Sequence, residues 1–237
     1  KEAYGVRRTY LLGKGLDGVM NYPFRNAILG FLRGGSALSC AEQLAAICEH
    51  YPAPALHALM NHLGTHDTER ILTALEDEPA EGRDRYWQSG RRLPKPKYDH
   101  GIRLVRLAYA MLFTLPGVPC IYYGDEVGMQ GYRDPFNRAY YDWDSTENRI
   151  KPLLRQLAKL RRECDAFWEG EFRVTRADGG LLQYRRTGPT ETAEIVVNRT
   201  PRLLATRALG KVTEVNPFSF TVVVEDTDKV PPERPAP

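Results

Sequence analysis

A histidine and an aspartate stand side by side where an apolar run ends. Residues 58–63 are mostly apolar and predict a buried strand, which Gly64 interrupts before His66 and Asp67. Titratable side chains just past the C-terminal end of a buried strand are typical of the catalytic groups of α/β barrels. The same residues also suit a helix N-terminus, with Asp67 or Thr68 capping the first turn. Both interpretations stay open on this segment alone.

Two further predicted strands are followed by polar loops. Residues 16–22 form a short apolar strand candidate and residues 118–123 a buried one, with helical patterns between them. This alternation implies a parallel sheet, in which the loops after the strands meet at one end. Carboxylates, amides and aromatic rings there suit a ligand rich in hydroxyl groups. The side chains concerned are Asn21, Tyr22 and Arg25; His66, Asp67 and Arg70; and Asp125, Glu126, Asp134, Asn137 and Arg138.

The composition is that of an ordinary globular chain. Its 237 residues are 42% hydrophobic and 27% charged, with a net charge of +3 that is too small to argue for a nucleic-acid partner. The basic residues at 91–97 have no interleaved aromatic platform for nucleic acid. No run of about 18 apolar residues predicts a membrane span. The scattered cysteines favour reduced, buried thiols, typical of a cytoplasmic protein, over disulfides or a zinc site: Cys40, Cys48, Cys120 and Cys164.

The character of the sequence changes after Trp168. Short alternating apolar runs, separated by turn residues such as Asp178, Gly179 and Gly180, predict a small antiparallel β domain. The proline-rich end has few large apolar residues and is expected to be mobile. The predicted units are residues 1–165 with the parallel strands, 166–226 with the antiparallel strands, and the tail 227–237. Three strands cannot close an eight-stranded barrel, so a barrel would be less than half complete, with unpaired edges.

Four ordered motifs resemble the second half of α-amylase family glycoside hydrolases (glycoside hydrolase family 13). The variant is similar to neopullulanase, cyclomaltodextrinase and maltogenic amylase. The motifs are VMNYPFR at 19–25, LGTHDTER at 63–70, FTLPGVPCIYYGDE at 113–126, and DPFNR at 134–138 followed by Trp143. Their order and spacing resemble strands six to eight of the family barrel. The resemblance covers residues 1–165, and it implies a partial (β/α)8 (TIM) barrel followed by a small antiparallel β-sandwich.

The resemblance also implies roles for particular residues. Asp67 matches the family's third carboxylate, which stabilises the oxocarbenium-like transition state by gripping sugar hydroxyls. His66 is implied to hydrogen-bond the sugar at the cleavage subsite. Asp134 and Arg138 are implied to contact the next glucose on the non-reducing side. Asn21 and Tyr22 are implied to line the substrate cleft, with looser contacts to the sugar.

The family reaction needs two carboxyl groups that this sequence does not offer at matching motifs. In the retaining mechanism one carboxylate attacks and another protonates the leaving oxygen. The family supplies them from strands four and five, and this sequence is expected to begin just after the second, inside a longer protein. The implied parent is an α-glucan hydrolase cleaving α-1,4, or additionally α-1,6, links in maltooligosaccharides, cyclodextrins or pullulan. The chain alone is expected to be inactive and to need no cofactor, since any family calcium ligands lie upstream.

Other interpretations remain. His62, His66 and Asp67 could bind a metal ion, although positions 62 and 66 of a strand are too far apart to chelate unless the chain turns. Asp125 and Glu126 could replace the missing carboxylates. The chain could also be a non-catalytic sugar-binding or assembly module that pairs with a second copy or with the missing N-terminal barrel half. One set of aromatic residues suits sugar contact and loop packing equally: Tyr132, Phe136, Tyr140, Tyr141 and Trp143.

Overall fold

The computed structural model describes residues 10, 11, 13 and 15–230. The start of the predicted first unit and residues 231–237 of the predicted tail therefore lie outside the described residues. Residues 227–230, the part of that tail that is described, begin with a short 3-10 helix at Thr227–Lys229.

Parallel strands form the sheet of the first unit. β1 (Met60–His62) pairs in parallel with β2 (Val118–Cys120), and Met20 forms a parallel bridge to Met60. This pairing confirms the parallel arrangement predicted from the alternation of strands and helices. The helices around these strands are α1 (Tyr22–Leu32), α2 (Ala37–His50), α3 (Ala53–His57), α4 (Ile71–Glu76), α5 (Arg85–Gly90), α6 (Lys95–Thr114) and α7 (Lys151–Glu163).

The strands are shorter than predicted, and the last one is not buried. Val118 in β2 is 53% exposed, and both Ile121 and Tyr123 beyond it are also exposed. The prediction of a buried strand at 118–123 was wrong because, in the described part of the chain, no strand pairs with the outer side of β2. An edge of this kind leaves backbone donors and acceptors available for pairing.

A buried polar relay ties the three parallel segments together. The Asn21 side chain accepts a hydrogen bond of 3.1 Å from the backbone N–H of Phe24 and so caps α1. Its amide nitrogen donates to Oδ1 of Asn61 in β1 at 2.8 Å, and the Asn61 amide donates to the Pro116 carbonyl before β2 at 2.6 Å. Buried polar groups need hydrogen-bond partners, and these bonds therefore hold the three segments beside one another.

The chain after residue 170 forms antiparallel sheets, as predicted. A four-stranded sheet has the order β3 (Glu171–Asp178), β4 (Leu181–Thr187), β5 (Glu191–Asn198) and β8 (Ser219–Asp226). A two-stranded sheet of β6 (Leu204–Ala208) and β7 (Lys211–Val215) packs against it through a small apolar cluster of Leu181, Val196, Ala208 and Val215. The larger apolar core is continuous between α1, α6 and strands β4 and β5.

The buried Arg186 and the half-buried Arg161 join the antiparallel sheet and α7 to the end of α6. Arg186 of β4 donates to the Thr114 carbonyl at 2.8 Å and to the Gly170 carbonyl at 3.1 Å. Arg161 of α7 donates to the Phe113 carbonyl at 2.9 Å and also to the Gly117 carbonyl. The carbonyls of Phe113 and Thr114 lie in the last turn of α6, where they have no partner within the helix, and these bonds satisfy them. Burial lowers the pKa of each arginine to about 10, so both stay charged near neutral pH.

The cysteines are free thiols, as predicted, but only partly buried as a group. Cys40 and Cys164 are buried, whereas Cys48 and Cys120 are half-exposed. Burial raises the pKa of the Cys40 thiol to about 12. Within residues 15–230, none of the helices combines the length and the apolar character that crossing a membrane requires.

Candidate active site

His66 and Asp67 lie on an exposed turn between β1 and α4. Their side chains are 59% and 62% exposed, with 3.4 Å between His66 Nε2 and Asp67 Oδ1. Two threonines close the turn: Thr68 Oγ1 accepts from the Thr65 N–H, and Thr65 Oγ1 accepts from the Asp67 N–H, both at 3.1 Å. The residue that caps α4 is Arg70. The alternative in which Asp67 or Thr68 caps a helix was therefore wrong, and the carboxylate of Asp67 faces solvent.

Asn137 binds this turn to the loop that follows β2. Its amide nitrogen donates to the carbonyls of Thr65 at 3.2 Å, His66 at 3.0 Å and Thr68 at 2.8 Å, and the residue is fully buried. Arg138, the next residue, also donates to the His66 carbonyl, at 3.2 Å. The sequence grouped Asn137 with the side chains suited to a hydroxyl-rich ligand, but its complete burial makes it a structural residue instead. Its contacts fix the backbone that carries Asp67.

Four predicted site residues meet around this contact. Arg138 forms an ion pair of 3.0 Å with Asp134, and both side chains are about half exposed or more. Since Arg138 also reaches the His66 carbonyl, the Asp134–Arg138 pair and the His66–Asp67 turn share one rim of the molecule. The rim presents two carboxylates, an imidazole and a guanidinium to solvent, which are donors and acceptors for sugar hydroxyls.

The structure separates the other two predicted residues. Tyr22 is half-buried and packs edge-on against the His62 ring, with centroids 4.5 Å apart. Together with Asp67 and the segment 16–20, it borders an open depression of about 610 Å³. Asn21 is only 2% exposed, and its side chain caps α1 and donates a hydrogen bond to Asn61. Tyr22 is thus placed beside Asp67, whereas Asn21 lies beneath the surface.

A buried ion pair supports the rim from below. Arg70 Nη1 donates to Asp125 Oδ1 at 3.1 Å and to the Tyr123 carbonyl at 2.6 Å, and both charged side chains are fully buried. Burial raises the pKa of Asp125 to about 7, although Arg70 opposes the shift. Asp125 Oδ2 lies against Gly64, where a β-carbon would collide with it. The interpretation in which Asp125 replaces a missing catalytic carboxylate is therefore wrong, because its buried side chain cannot reach a sugar in this arrangement.

His62 is a core residue and is remote from solvent. It is 1% exposed, and neither ring nitrogen has a hydrogen-bond partner among the residues that the structure describes. Burial, with a smaller contribution from Arg25, lowers its pKa to about 4. Over the described ranges, no group of three or more His, Cys, Asp or Glu side chains is arranged to hold a metal ion. The structure thus offers nothing that favours the metal interpretation of His62, His66 and Asp67.

Replacing Asn137 with alanine is expected to loosen the turn that carries Asp67. The change removes the donor to three buried carbonyls, and such a loss costs about 1–3 kcal/mol of folding free energy. Hydrogen exchange of the amides at 65–68 should accelerate, while exchange in β5 stays as in the original protein. Asn148→Ala, at an exposed asparagine outside this contact, is the matched control. Unchanged exchange at 65–68 would contradict the role given to Asn137.

The comparison with known protein families concerns residues 2–169 of the chain. The family model described as alpha amylase, catalytic domain, matches residues 2–169, and the chain belongs to this family. The resemblance drawn from the four motifs is thereby confirmed.

Curated relatives and a solved structure place the chain within that family. A cyclomaltodextrinase of Geobacillus thermopakistaniensis is 35% identical over 198 residues, which are 81% of this chain and 30% of the relative. An amylopullulanase of Thermoanaerobacter thermohydrosulfuricus is 29% identical over 212 residues, 80% of this chain and 14% of the relative. The cyclic α-maltosyl-(1→6)-maltose hydrolase of Arthrobacter globiformis, in complex with cyclic α-maltosyl-(1→6)-maltose, superposes with a TM-score of 0.76 at 29% identity, over 92% of this chain and 47% of that one. The chain spans less than half the length of each.

Proposed function

We propose that this chain is the C-terminal part of the catalytic unit of a retaining α-glucan hydrolase. In this proposal Met20, β1 and β2 belong to strands six, seven and eight of a (β/α)8 barrel, and residues 166–226 form the β-sandwich that follows it. The parallel order of the three segments, with helices between them, supports the assignment. The relatives named above are hydrolases of α-glucans by their names.

The observation that carries the proposal is the exposed carboxylate of Asp67 on a turn held by buried contacts. In a glycosidase the sugar ring gains positive charge as it approaches the oxocarbenium-like transition state. A carboxylate held beside the ring stabilises that charge more than it stabilises the ground state, which is the condition for catalysis. Because Asn137 holds the turn through contacts within the protein, little reorganisation is needed when the sugar binds.

The neighbouring residues take the sugar-binding roles. His66 hydrogen-bonds the glucose at the cleavage position, and Asp134 and Arg138 bind the next glucose on the non-reducing side. The ion pair between the latter two fixes their orientation before the sugar arrives. Tyr22 lines the same depression as Asp67, and the buried Asn21 caps α1, the helix that begins at Tyr22.

The nucleophile and the acid come, in this proposal, from a preceding segment of a longer protein. The retaining reaction needs two carboxyl groups about 5–5.5 Å apart across the scissile bond. Asp67 cannot fill both positions, and Asp125 is fully buried in its pair with Arg70. The expected substrates are α-1,4-linked, or additionally α-1,6-linked, glucans such as maltooligosaccharides, cyclodextrins and pullulan.

The test is hydrolysis of a chromogenic maltoside by the 237-residue chain and by the protein that includes its upstream coding sequence. We expect turnover by the longer protein and none by the chain alone, because the attacking and protonating carboxyls are supplied upstream. Turnover by the chain alone would contradict this division of roles. An inactive longer protein that is folded and monodisperse would contradict the proposed activity.

A second candidate function is a non-catalytic carbohydrate-binding or assembly module. The open edge of β2, with Val118, Ile121 and Tyr123 exposed, favours it because an unpaired parallel edge can bind the missing barrel half or a second copy. Sedimentation of the chain alone and mixed with the upstream segment separates the two. Stable association without any gain of turnover favours the module.

A further inference from the structure

The loop after Arg138 exposes large aromatic rings. Tyr140 is 99% exposed and Trp143 is 87% exposed. Large apolar surfaces left in water beside a polar rim are typical of ligand-binding surfaces. An aromatic face binds the apolar C–H face of a pyranose ring, while the polar edge of the ring system keeps its contact with water.

The Trp143 ring is supported rather than free to rotate. Tyr141 packs against it, with ring centroids 4.7 Å apart and an interplanar angle of 58°. The Lys151 ammonium also lies over the Tyr141 ring, 5.5 Å from its centroid. A ring held in this way loses less side-chain entropy when a flat ligand stacks on it.

Tyr140 lies close to the rim of the candidate active site. Tyr140 is two residues beyond Arg138, and two residues span at most about 7 Å of chain. The loop between them is anchored, because the Tyr123 hydroxyl donates to the Ala139 carbonyl at 2.9 Å. One or two further glucose units beyond Arg138 would therefore come into reach of Tyr140.

Polar groups accompany the rings. Asp142 and Asp144, on either side of Trp143 in the sequence, are both exposed. Carboxylate oxygens accept hydrogen bonds from sugar hydroxyls, and an adjacent aromatic face covers the apolar side of the same ring. Protein partners and sugars both bind aromatic rings, but the exposed carboxylates of Asp142 and Asp144 and the short chain distance from Arg138 to Tyr140 favour a sugar.

We propose that Tyr140 and Trp143 form a stacking platform that binds the distal glucose units of an α-glucan whose next unit lies on Asp134 and Arg138. The proposal rests on the proposed function, since it extends the same sugar chain. It makes the site selective for chains of several glucose units over maltose. It also gives the aromatic loop a role in sugar contact, one of the two interpretations that the sequence left open.

Calorimetric titration of the 237-residue chain with maltose and with maltoheptaose tests the platform. We expect maltoheptaose to bind about tenfold more tightly than maltose, by analogy with the stacking of flat rings on exposed aromatics. The double variant Tyr140→Ala/Trp143→Ala should lose this gain and bind maltose as before. Tyr86→Ala, at an 88% exposed tyrosine on α5, is the matched control and should keep the gain. The single variant Trp143→Phe retains an aromatic face and should keep most of the gain in affinity for maltoheptaose.

Three outcomes would overturn the platform. They are equal affinities for the two sugars in the original chain, no binding of either sugar, and retention of the gain by the double variant. Self-association of the original chain that the double variant abolishes would assign the rings to a protein interface and would overturn it as well. The proposed function fails separately: maltose binding unaffected by Asp134→Ala would contradict the rim assignment while leaving a chain-length gain intact.

Discussion

Asp67→Asn, made in the protein that includes the upstream segment, is expected to lower kcat at least about 100-fold, the scale on which a single preorganised electrostatic contact contributes to catalysis. Asparagine keeps the size and most hydrogen bonds of the side chain but removes its charge. The variant therefore loses stabilisation of the charged transition state and keeps most of the ground-state binding. Steady-state kinetics on a chromogenic maltoside should show a fall in kcat with little change in KM.

The fold is expected to survive this change. The Asp67 carboxylate faces solvent, and the turn is held by bonds from Thr65, Thr68 and Asn137 that asparagine leaves in place. Circular dichroism and the unfolding midpoint should match the original protein. Asp228→Asn, at an exposed aspartate in the last described 3-10 helix, is the control for loss of one surface charge. Activity within a few-fold of the original would sink the transition-state role of Asp67.

The largest effect on stability is expected from Arg70→Met. The substitution keeps the apolar length of the side chain and leaves Asp125 buried without its cation. Removing one partner of a buried ion pair costs about 3–5 kcal/mol. Asp125 Oδ2 already has no hydrogen-bond partner within the described residues, so the carboxylate has no second contact there to fall back on. Urea unfolding at pH 8 measures the loss, with Arg155→Met on the exposed face of α7 as control.

The loss should depend on pH in a definite direction. In the folded protein the pKa of Asp125 is about 7, raised by burial from an ordinary value of about 3.9. A raised pKa means that protonation favours the folded state: the contribution is complete below about pH 4 and is lost as pH rises through about 7. Arg70 stabilises the charged form of Asp125, so its removal makes that form still less favourable in the folded protein. The variant should therefore lose less stability at pH 5 than at pH 8.

A double variant separates the charge from the packing. Arg70→Met/Asp125→Asn places no charge in the pocket, so it should recover much of the loss at pH 8. Equal losses at the two pH values for Arg70→Met, or no recovery in the double variant, would show that burial of the Asp125 charge is not the cause.

Local sequence patterns predicted the parallel order of the three segments. Met20, β1 and β2 follow one another in the order expected from apolar runs broken by glycine and proline. The length of each strand was overestimated, because an apolar run shows what is buried and not which residues find a ladder partner. The exposure of β2 depends on a strand beyond its outer edge, which no pattern within residues 118–123 can reveal.

The supports of the site could not be predicted, because they join residues far apart in the chain. Asn137 lies 72 residues from Thr65, and Arg70 lies 55 residues from Asp125. Periodicity describes neighbours within a helix or a strand and carries no information on such pairs. Asn21 shows a related difficulty: it adjoins Tyr22 in the motif, yet one side chain turns inward to cap a helix while the other faces the depression.

The arginine contacts at the end of α6 bear on how such proteins can be recombined. Arg161 and Arg186 reach the carbonyls of Phe113, Thr114 and Gly117 from a later helix and from the antiparallel sheet. A chimaera that takes its antiparallel sheet from a relative without a cation at the Arg186 position would leave the Thr114 carbonyl without that donor. The choice of crossover point for exchanging modules therefore depends on side chains on both sides of residue 165. A crossover at that residue would take Arg186 from one parent protein and Arg161 and the carbonyls at the end of α6 from the other.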